Sequence, residues 1–582
     1  MPIALNNDIQ KKIDEWTKEP YGADCIREIQ DLVNSGNEAE LNERFGADLE
    51  FGTGGLRGII RFGTNGMNRY NVSKATQGLA NYIKMQNIEN PKAVVACDSR
   101  NFSKEFAQET ATIFASNGIK TYLFSSLRPT PELSFAIRYL GCATGVVVTA
   151  SHNPKEYNGY KAYWSDGAQM VSPHDKNVIA EVNKIKSLND VKSENFYDLV
   201  ADGRIEIIDK DVDNAFLDEI FKQNINNVAG SNVKIVYTPL HGTGATLAPQ
   251  VFDRLGLKNV LYVKEQMIAD GNFPTVIKPN PEEQEALTRG INLAKKENAD
   301  IVIATDPDAD RMGIAVREKN GEFTIVSGNH IGAIIEYYVL SAMKNNGKLP
   351  ANGAVVKTIV TTNLQDKIAE SFGLKVFNVL TGFKFIGQKI REFEADKNYT
   401  YVCGGEESYG FLVGTHARDK DAMVATMLIA ECCAVLQKEG RNMSDYLNEI
   451  LEKYGYYSDS SKSIEIQGLK GKEVIGKIMA HYRANPKTEF AGVKVVKALD
   501  FLPGDTIADA EGSPYKLPSS NVIQYHLEDG TKISLRPSGT EPKIKFYFSG
   551  SAASKEEVNA KLANYQKDLV AEVEKLKAEF GA

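Results

Sequence analysis

Short apolar, β-branched runs that stop abruptly on polar turns recur along this chain. They commit it to buried strands joined by loops, which is what an α/β fold requires. Val94-Val95, Val146-Val147-Val148, Ile235-Val236-Tyr237 and Ile301-Val302-Ile303-Ala304 are too short for core helices and apolar on successive positions. Such strands are covered on both faces, and α/β sheets gather their ligands beyond the carboxyl ends of the strands. Two of these ends carry pointed chemistry. After Val148 comes Thr149-Ala150-Ser151-His152-Asn153-Pro154, a tight turn that presents a serine hydroxyl. After Ala304 comes Thr305-Asp306-Pro307-Asp308-Ala309-Asp310-Arg311, three alternating carboxylates and a guanidinium. A helix N-cap is the plain alternative for Ser151, and a solvated acidic turn is the plain alternative for the aspartates. Together the two loops point to metal-assisted phosphoryl transfer.

At 582 residues the chain exceeds a single core and calls for roughly three to five domains. The 68 basic against 76 acidic side chains give a net charge of −8, which leaves no basic field for nucleic acid, so an anionic substrate needs a locally basic site. Six cysteines, Cys25, Cys97, Cys142, Cys403, Cys432 and Cys433, form no CxxC pair and suit reduced thiols. The first residues lack the pattern of a signal peptide, and no apolar stretch reaches the roughly 20 residues of a membrane span. The expectation is a cytoplasmic protein.

Ile9, Ile13 and Trp16, then Ile26, Ile29 and Leu32, have helical spacing and predict an N-terminal helical extension. From Phe51 the text alternates strand, glycine turn and helix. The expected domains are residues 1–204, the extension with a first α/β unit; 205–325, a second α/β unit with the aspartate loop; 326–456, a third; and 457–582, an α+β domain closed by an amphipathic helix over residues 555–580. The third is expected to open on an apolar helix over 331–340, to carry a strand over 355–360, and to end on a helix over 421–438.

Oxygen-only ligands at Asp306, Asp308 and Asp310 favour magnesium over zinc. Gly52-Thr53-Gly54-Gly55-Leu56-Arg57-Gly58 has the wrong glycine spacing for a dinucleotide site and instead presents Arg57 on flexible backbone. In Arg536-Pro537-Ser538-Gly539-Thr540 an arginine, two hydroxyls and a glycine share one loop, a set that can wrap a phosphate, although a plain turn explains Pro537 and Gly539. Gly405-Glu406-Glu407-Ser408-Tyr409-Gly410 pairs carboxylates with a hydroxyl, as vicinal sugar hydroxyls need, or is a solvated loop.

Five motifs in order, over residues 51–58, 149–154, 306–311, 405–410 and 536–540, resemble those of the α-D-phosphohexomutase superfamily, the phosphoglucomutases and phosphomannomutases. The resemblance spans the chain except the N-terminal extension. It implies four domains around a central cleft, three α/β with mixed sheets and a C-terminal α+β domain. It implies that Ser151 is phosphorylated and takes part in metal binding, with Asp306, Asp308 and Asp310 holding Mg2+ and Arg57 and Arg311 flanking the phosphoryl group. Lys161 is then a proton-transfer candidate, with His152 behind it. Glu406 and Ser408 match the sugar loop, Arg536, Ser538, Gly539 and Thr540 the distal phosphate loop. Thr381 and Gly382 match a further substrate segment, and Lys384 beside them is implied as a catalytic residue. The implied reaction interconverts glucose 1-phosphate and glucose 6-phosphate, with glucose 1,6-bisphosphate as intermediate and activator. Partners are small sugar phosphates, with neither nucleic acid nor membrane, and the assembly is a monomer or homodimer. Tyr409-Gly410 after Ser408, and Lys384 where glucose-type enzymes have lysine, with no histidine where dual-specificity enzymes have one, favour glucose. The long N-terminus and Gly54-Gly55 keep phosphopentomutase open, phosphomannomutase stays within the family's range, and from another class a magnesium-dependent phosphohydrolase remains.

Overall fold

The computed structural model describes residues 5–52, 54–466, 471–503, 517–538 and 542–581. They divide into two compact units. The first comprises Met1–Val326, Gly387–Ala395 and Gly410–Gly440; the second comprises Ser327–Ile386, Asp396–Tyr409 and Arg441–Ala582.

The first unit begins with three helices, α1 (Asn7–Trp16), α2 (Ala23–Ser35) and α3 (Glu38–Phe45). Asn6 and Asn37 cap α1 and α3 by accepting backbone N–H groups. The helical spacing in the sequence is real: Ile9, Ile13, Trp16, Ile29, Leu41 and Phe45 form one buried cluster, completed by Tyr21 and by Tyr70 from the following domain.

The first sheet contains β1 (Gly55–Ile59), β2 (Lys92–Cys97), β3 (Lys120–Phe124), β4 (Thr144–Val148), β5 (Tyr157–Trp164) and β6 (Ile205–Ile208), in the order β1-β5-β4-β2-β3-β6. β4, β2, β3 and β6 run parallel, while β5 is antiparallel to both β4 and β1. Every residue of β4 is buried, which is why it reads as an unbroken apolar run. Helices α4 (Arg69–Met85), α5 (Ser103–Ser116) and α6 (Thr130–Tyr139) supply the cover. The second sheet contains β7 (Ile235–Thr238), β8 (Val260–Tyr262), β9 (Ile301–Thr305), β10 (Met312–Arg317) and β11 (Phe323–Ile325), ordered β11-β10-β9-β7-β8. β8, β7 and β9 are parallel, and β10 folds back antiparallel on β9, pairing Thr305 with Met312 across the aspartate loop.

In the second unit β12 (Gly353–Thr358) lies between β13 (Lys375–Val379) and β14 (Thr400–Glu406), all parallel. β15 (Gly410–Val413) belongs to the first unit. The C-terminal sheet is antiparallel throughout: β16 (Tyr456–Glu465), β17 (Glu489–Phe490), β18 (Val493–Asp500), β19 (Ile523–Leu527), β20 (Lys532–Pro537) and β21 (Lys543–Ala552), ordered β16-β21-β20-β19-β18-β17. The closing helix, Lys555–Glu579, buries Val558, Leu562, Tyr565, Leu569, Val573 and Leu576 along one stripe. Mixed α/β sheets and an antiparallel C-terminal sheet with helices are thus the architecture.

Three local expectations shift, the first being that the helix expected to end residues 326–456 is followed by another, Met443–Tyr454. The strand expected over residues 355–360 ends at Thr358, where Thr361 N–H closes a turn onto the Thr358 carbonyl, and Ile359 and Val360 bury against Phe501 and Val522 instead of extending the strand. Arg536 and Pro537, read as loop, continue β20, paired with Lys545 and Ile544. Among the described residues no helix is long and apolar enough to cross a membrane.

Candidate active site

β4 delivers the loop that carries Ser151. Beyond Val148, Ser151 adopts a left-handed backbone with φ 53°, which a non-glycine residue holds only when its surroundings enforce it. Gly159 on β5 lies so close that a β-carbon there would come within 2.5 Å of the Thr149 carbonyl oxygen and 2.9 Å of that of Leu56. Ser151 is buried. Its Oγ donates to Asp306 Oδ2 at 2.8 Å and lies 3.2 Å from His152 Nδ1. The hydroxyl is therefore not a helix cap; it faces the aspartate loop.

That loop is no solvated turn. Asp306, Asp308 and Asp310 are at most 1% exposed, and one oxygen from each falls within 4.8 Å of the others. The backbone folds inward through Ala309, at φ 48°, while Asp306 Oδ1 accepts the N–H groups of Asp310 (3.1 Å) and Arg311 (3.0 Å). Thr130, at the start of α6, donates its hydroxyl to Asp308 Oδ2 at 2.7 Å. Asp308 Oδ1 and Asp310 Oδ1 are buried and accept no hydrogen bond. Buried carboxylate oxygens left open toward one centre fit a hard divalent cation, and among the described residues this is the one acidic cluster with that geometry. The triad can thus bind a metal ion.

Charge balance around it is tight. Lys161 Nζ on β5 lies 2.7 Å from Asp308 Oδ2 and 3.0 Å from Asp310 Oδ2. Burial would lower the Lys161 pKa, but these two carboxylates outweigh it and hold the lysine protonated. Burial, then Asp308 and Asp310, pushes Asp306 well above the usual carboxylate range. For Asp310 burial is overcome by Lys161, Lys420 and Arg311, which hold it far below that range. Burial, then Arg311 and Arg57, keeps half-buried His152 neutral. Arg311 pairs with Glu282 at 2.8 Å, and Arg57 is exposed on β1 opposite Gly159. Ser151, His152, Lys161, Arg57, Arg311 and the three aspartates therefore converge within the first unit.

The remaining sequence-predicted residues lie in the second unit. Gly382 N–H donates to Glu406 Oε1 at 2.9 Å, which ties the segment of Thr381 and Gly382 to the end of β14. Thr381 Oγ1 is buried without a hydrogen-bond partner. Lys384 lies in the first turn of the helix Phe383–Asp396, its Nζ 5.1 Å above the Phe385 ring. Ser408 sits in the turn after β14, beside Glu407, whose Oε2 accepts from Thr358 at 3.2 Å. Burial and then Glu406 push Glu407 up to about 7, with the Arg536 charge opposing. Ser538 N–H closes onto the Lys543 carbonyl; Gly539 and Thr540 lie outside the described residues.

Sequence reasoning missed Lys420, 3.1 Å from Asp310 Oδ2 and 3.0 Å from Asp419, although the dense charge of Arg418-Asp419-Lys420-Asp421 before an apolar helix was a signal. It also missed Asp98 and Arg100, which follow the run ending at Cys97 as Ser151 follows Val148. Arg100 donates to the carbonyls of Pro154 (2.9 Å) and Tyr157 (3.0 Å) and to those of Ser151 and Asn153.

Residues 48–189, 214–321 and 327–454 match the phosphoglucomutase/phosphomannomutase alpha/beta/alpha domains I, II and III, and residues 483–565 match the C-terminal domain of the same family. The chain is 36% identical over 554 residues to a phosphoglucomutase of Staphylococcus haemolyticus, covering 95% of this chain and 98% of that one. With a phosphoglucomutase of Staphylococcus epidermidis it shares 37% over 527 residues, 90% of this chain and 94% of the relative. In fold it resembles the open form of parafusin, a phosphoglucomutase from Paramecium, with a TM-score of 0.67 at 18% identity over 92% of this chain and 96% of that one.

Proposed function

Because the chain belongs to the phosphoglucomutase/phosphomannomutase family, whose members are phosphate-transferring isomerases, we propose that it interconverts glucose 1-phosphate and glucose 6-phosphate through phospho-Ser151 and glucose 1,6-bisphosphate. The observation that carries this reading is the Ser151 hydroxyl, 2.8 Å from a buried aspartate triad with open carboxylate oxygens. In the forward half-reaction the sugar's 6-hydroxyl attacks the phosphorus of phospho-Ser151; the new O6–P bond forms as the P–Oγ bond breaks. In the second half, Ser151 Oγ attacks the 1-phosphate of the bisphosphate, and the P–O1 bond breaks. His152 Nδ1, neutral and 3.2 Å away, is within reach of the Oγ proton. Lys161, held protonated, contributes positive charge and hydrogen bonds rather than acting as a base.

Asp306, Asp308 and Asp310 would hold Mg2+, which neutralises charge on a transferring phosphoryl group and orients it. Arg57 and Arg311 are assigned to the same group. Thr381, Gly382, Lys384, Glu406 and Ser408 are assigned to the sugar, and Arg536, Ser538, Gly539 and Thr540 to the phosphate at rest. Glucose is favoured by Lys384 and by Ser408-Tyr409-Gly410. The six free, buried thiols suit a reducing compartment, and we assign the cytoplasm.

Incubation with glucose 1,6-bisphosphate is expected to leave one phosphoryl group on the peptide containing Ser151, read by mass spectrometry. Ser151→Ala should lose both the label and isomerisation, on the order of 10⁴-fold or more, while melting normally. Label on another residue, or turnover in Ser151→Ala, would refute the phosphoserine assignment. Asp308→Asn should lower magnesium-dependent turnover on the order of 10²-fold or more. Unchanged turnover and metal dependence would contradict the metal assignment.

A further inference from the structure

We propose that Arg100, anchored by Asp98, is a positioning residue that fixes the Ser151 nucleophile in its left-handed conformation; the inference rests on Ser151 being the phosphoryl carrier. Four carbonyls, those of Ser151, Asn153, Pro154 and Tyr157, turn toward one guanidinium whose side chain is fully buried. The Pro154 carbonyl also accepts the Tyr157 N–H at 3.0 Å, and Arg100 gathers it with the other three. A planar fork with five donors spreads over four carbonyls from two separate nitrogens, whereas a lysine has three donors on one nitrogen.

The other side of the nucleophile is gripped through the same pair. Asp98 Oδ2 lies 3.3 Å from Arg100 Nε and accepts the Thr149 hydroxyl at 2.6 Å. Thr149 Oγ1 in turn accepts the Ser151 N–H at 2.8 Å. The Ser151 peptide is thus held at its carbonyl by Arg100 and at its N–H by Thr149, both tied to one carboxylate. That carboxylate is itself fixed by the Arg100 N–H (3.0 Å) and the Ser103 hydroxyl (2.8 Å) at the start of α5.

The second α/β layer closes over this holder. The Arg100 guanidinium lies 5.1 Å over the Phe273 ring, Asn101 donates to Asn272 at 3.1 Å, and a β-carbon at Gly271 would meet the Asn101 nitrogen at 2.4 Å. Arg100 therefore registers the serine turn against the domain that supplies Asp306. A buried arginine that merely filled a turn would not need a link to the N–H of the nucleophile itself. In-line phosphoryl transfer tolerates little misplacement, since about 1 Å can cost on the order of 10²-fold in rate.

The test uses the full-length enzyme with magnesium and four variants, Arg100→Lys, Thr149→Val, Thr149→Ser and Ser151→Ala. Melting curves establish folding. Single-turnover transfer from phospho-Ser151 to glucose 1-phosphate, with kcat and KM, gives the readout. Arg100→Lys and Thr149→Val should lower the transfer rate and kcat on the order of 10²-fold with KM for glucose 1-phosphate unchanged, and Thr149→Ser should restore the rate. A folded Thr149→Val enzyme with wild-type transfer, or a loss confined to KM, would overturn the inference even if Arg100→Lys failed to fold. If Ser151→Ala still isomerises, the phosphoserine reading falls and this inference with it. A Ser151-dependent enzyme indifferent to Arg100→Lys and Thr149→Val would overturn the positioning role alone.

Discussion

At the residue scale, the site is governed by charges taken out of water and balanced against one another. Asp306, Asp308 and Asp310 are buried, and the cations Lys161, Lys420 and Arg311 set the balance among them. Glu407 in the second unit shows the same physics in a form that solution measurements can read. Its carboxyl is pushed up to about 7 by burial and by Glu406, against an ordinary value of 4.5. A carboxyl whose folded pKa lies above its unfolded value binds more protons when folded. Its contribution is therefore complete below the ordinary value and is lost as pH rises from about 4.5 through 7. Relative to Glu407→Gln, the wild type should lose stability on the order of 2 kcal/mol between about pH 5 and pH 8 in urea unfolding. Parallel pH profiles for the two proteins would contradict the burial argument. The sequence disclosed which residue types could do chemistry, because Ser151 and the aspartates sit directly on strand ends. It did not disclose Arg100 or Lys420, since their partners are backbone carbonyls and carboxylates far away in sequence.

At the element scale, the strands were legible wherever both faces are buried. β4 and β9 read as apolar runs because every residue in them is buried. Legibility failed where tertiary contacts overrule local pattern: Ile359 and Val360 look like strand but bury in a turn, and Arg536 looks like loop but pairs in β20. The three N-terminal helices were legible as helices, yet their task was not, since it depends on contacts with the segment that follows β1. Thr64 donates its hydroxyl to the Ala47 carbonyl at 2.6 Å, Leu49 N–H donates to Thr64, and Asn65 N–H donates to Arg44. Those contacts brace the chain just beyond Arg57. Trp16 holds the helices together, stacked 4.5 Å from Tyr21 and edge-on to Phe45 and Tyr70. Trp16→Ala should cost about 3–5 kcal/mol locally. Hydrogen exchange should then rise over residues 60–68 as well as over the helices. A rise confined to residues 7–46 would mean the helices brace nothing beyond themselves.

At the scale of the whole molecule, the four family domains account for most of the chain. The Ser151 hydroxyl and the aspartate triad belong to the first unit, and Glu406, Ser408 and Arg536 to the second. A hydrolase would need only the first set, whereas a mutase must also hold the sugar and the second phosphate while the intermediate persists. The decisive measurement is turnover of glucose 1-phosphate with magnesium and a trace of glucose 1,6-bisphosphate, run beside mannose 1-phosphate and ribose 1-phosphate, with free phosphate followed throughout. Glucose 6-phosphate should form fastest and without phosphate release. Accumulation of free phosphate, or a faster reaction with mannose or ribose 1-phosphate, would contradict the phosphoglucomutase assignment.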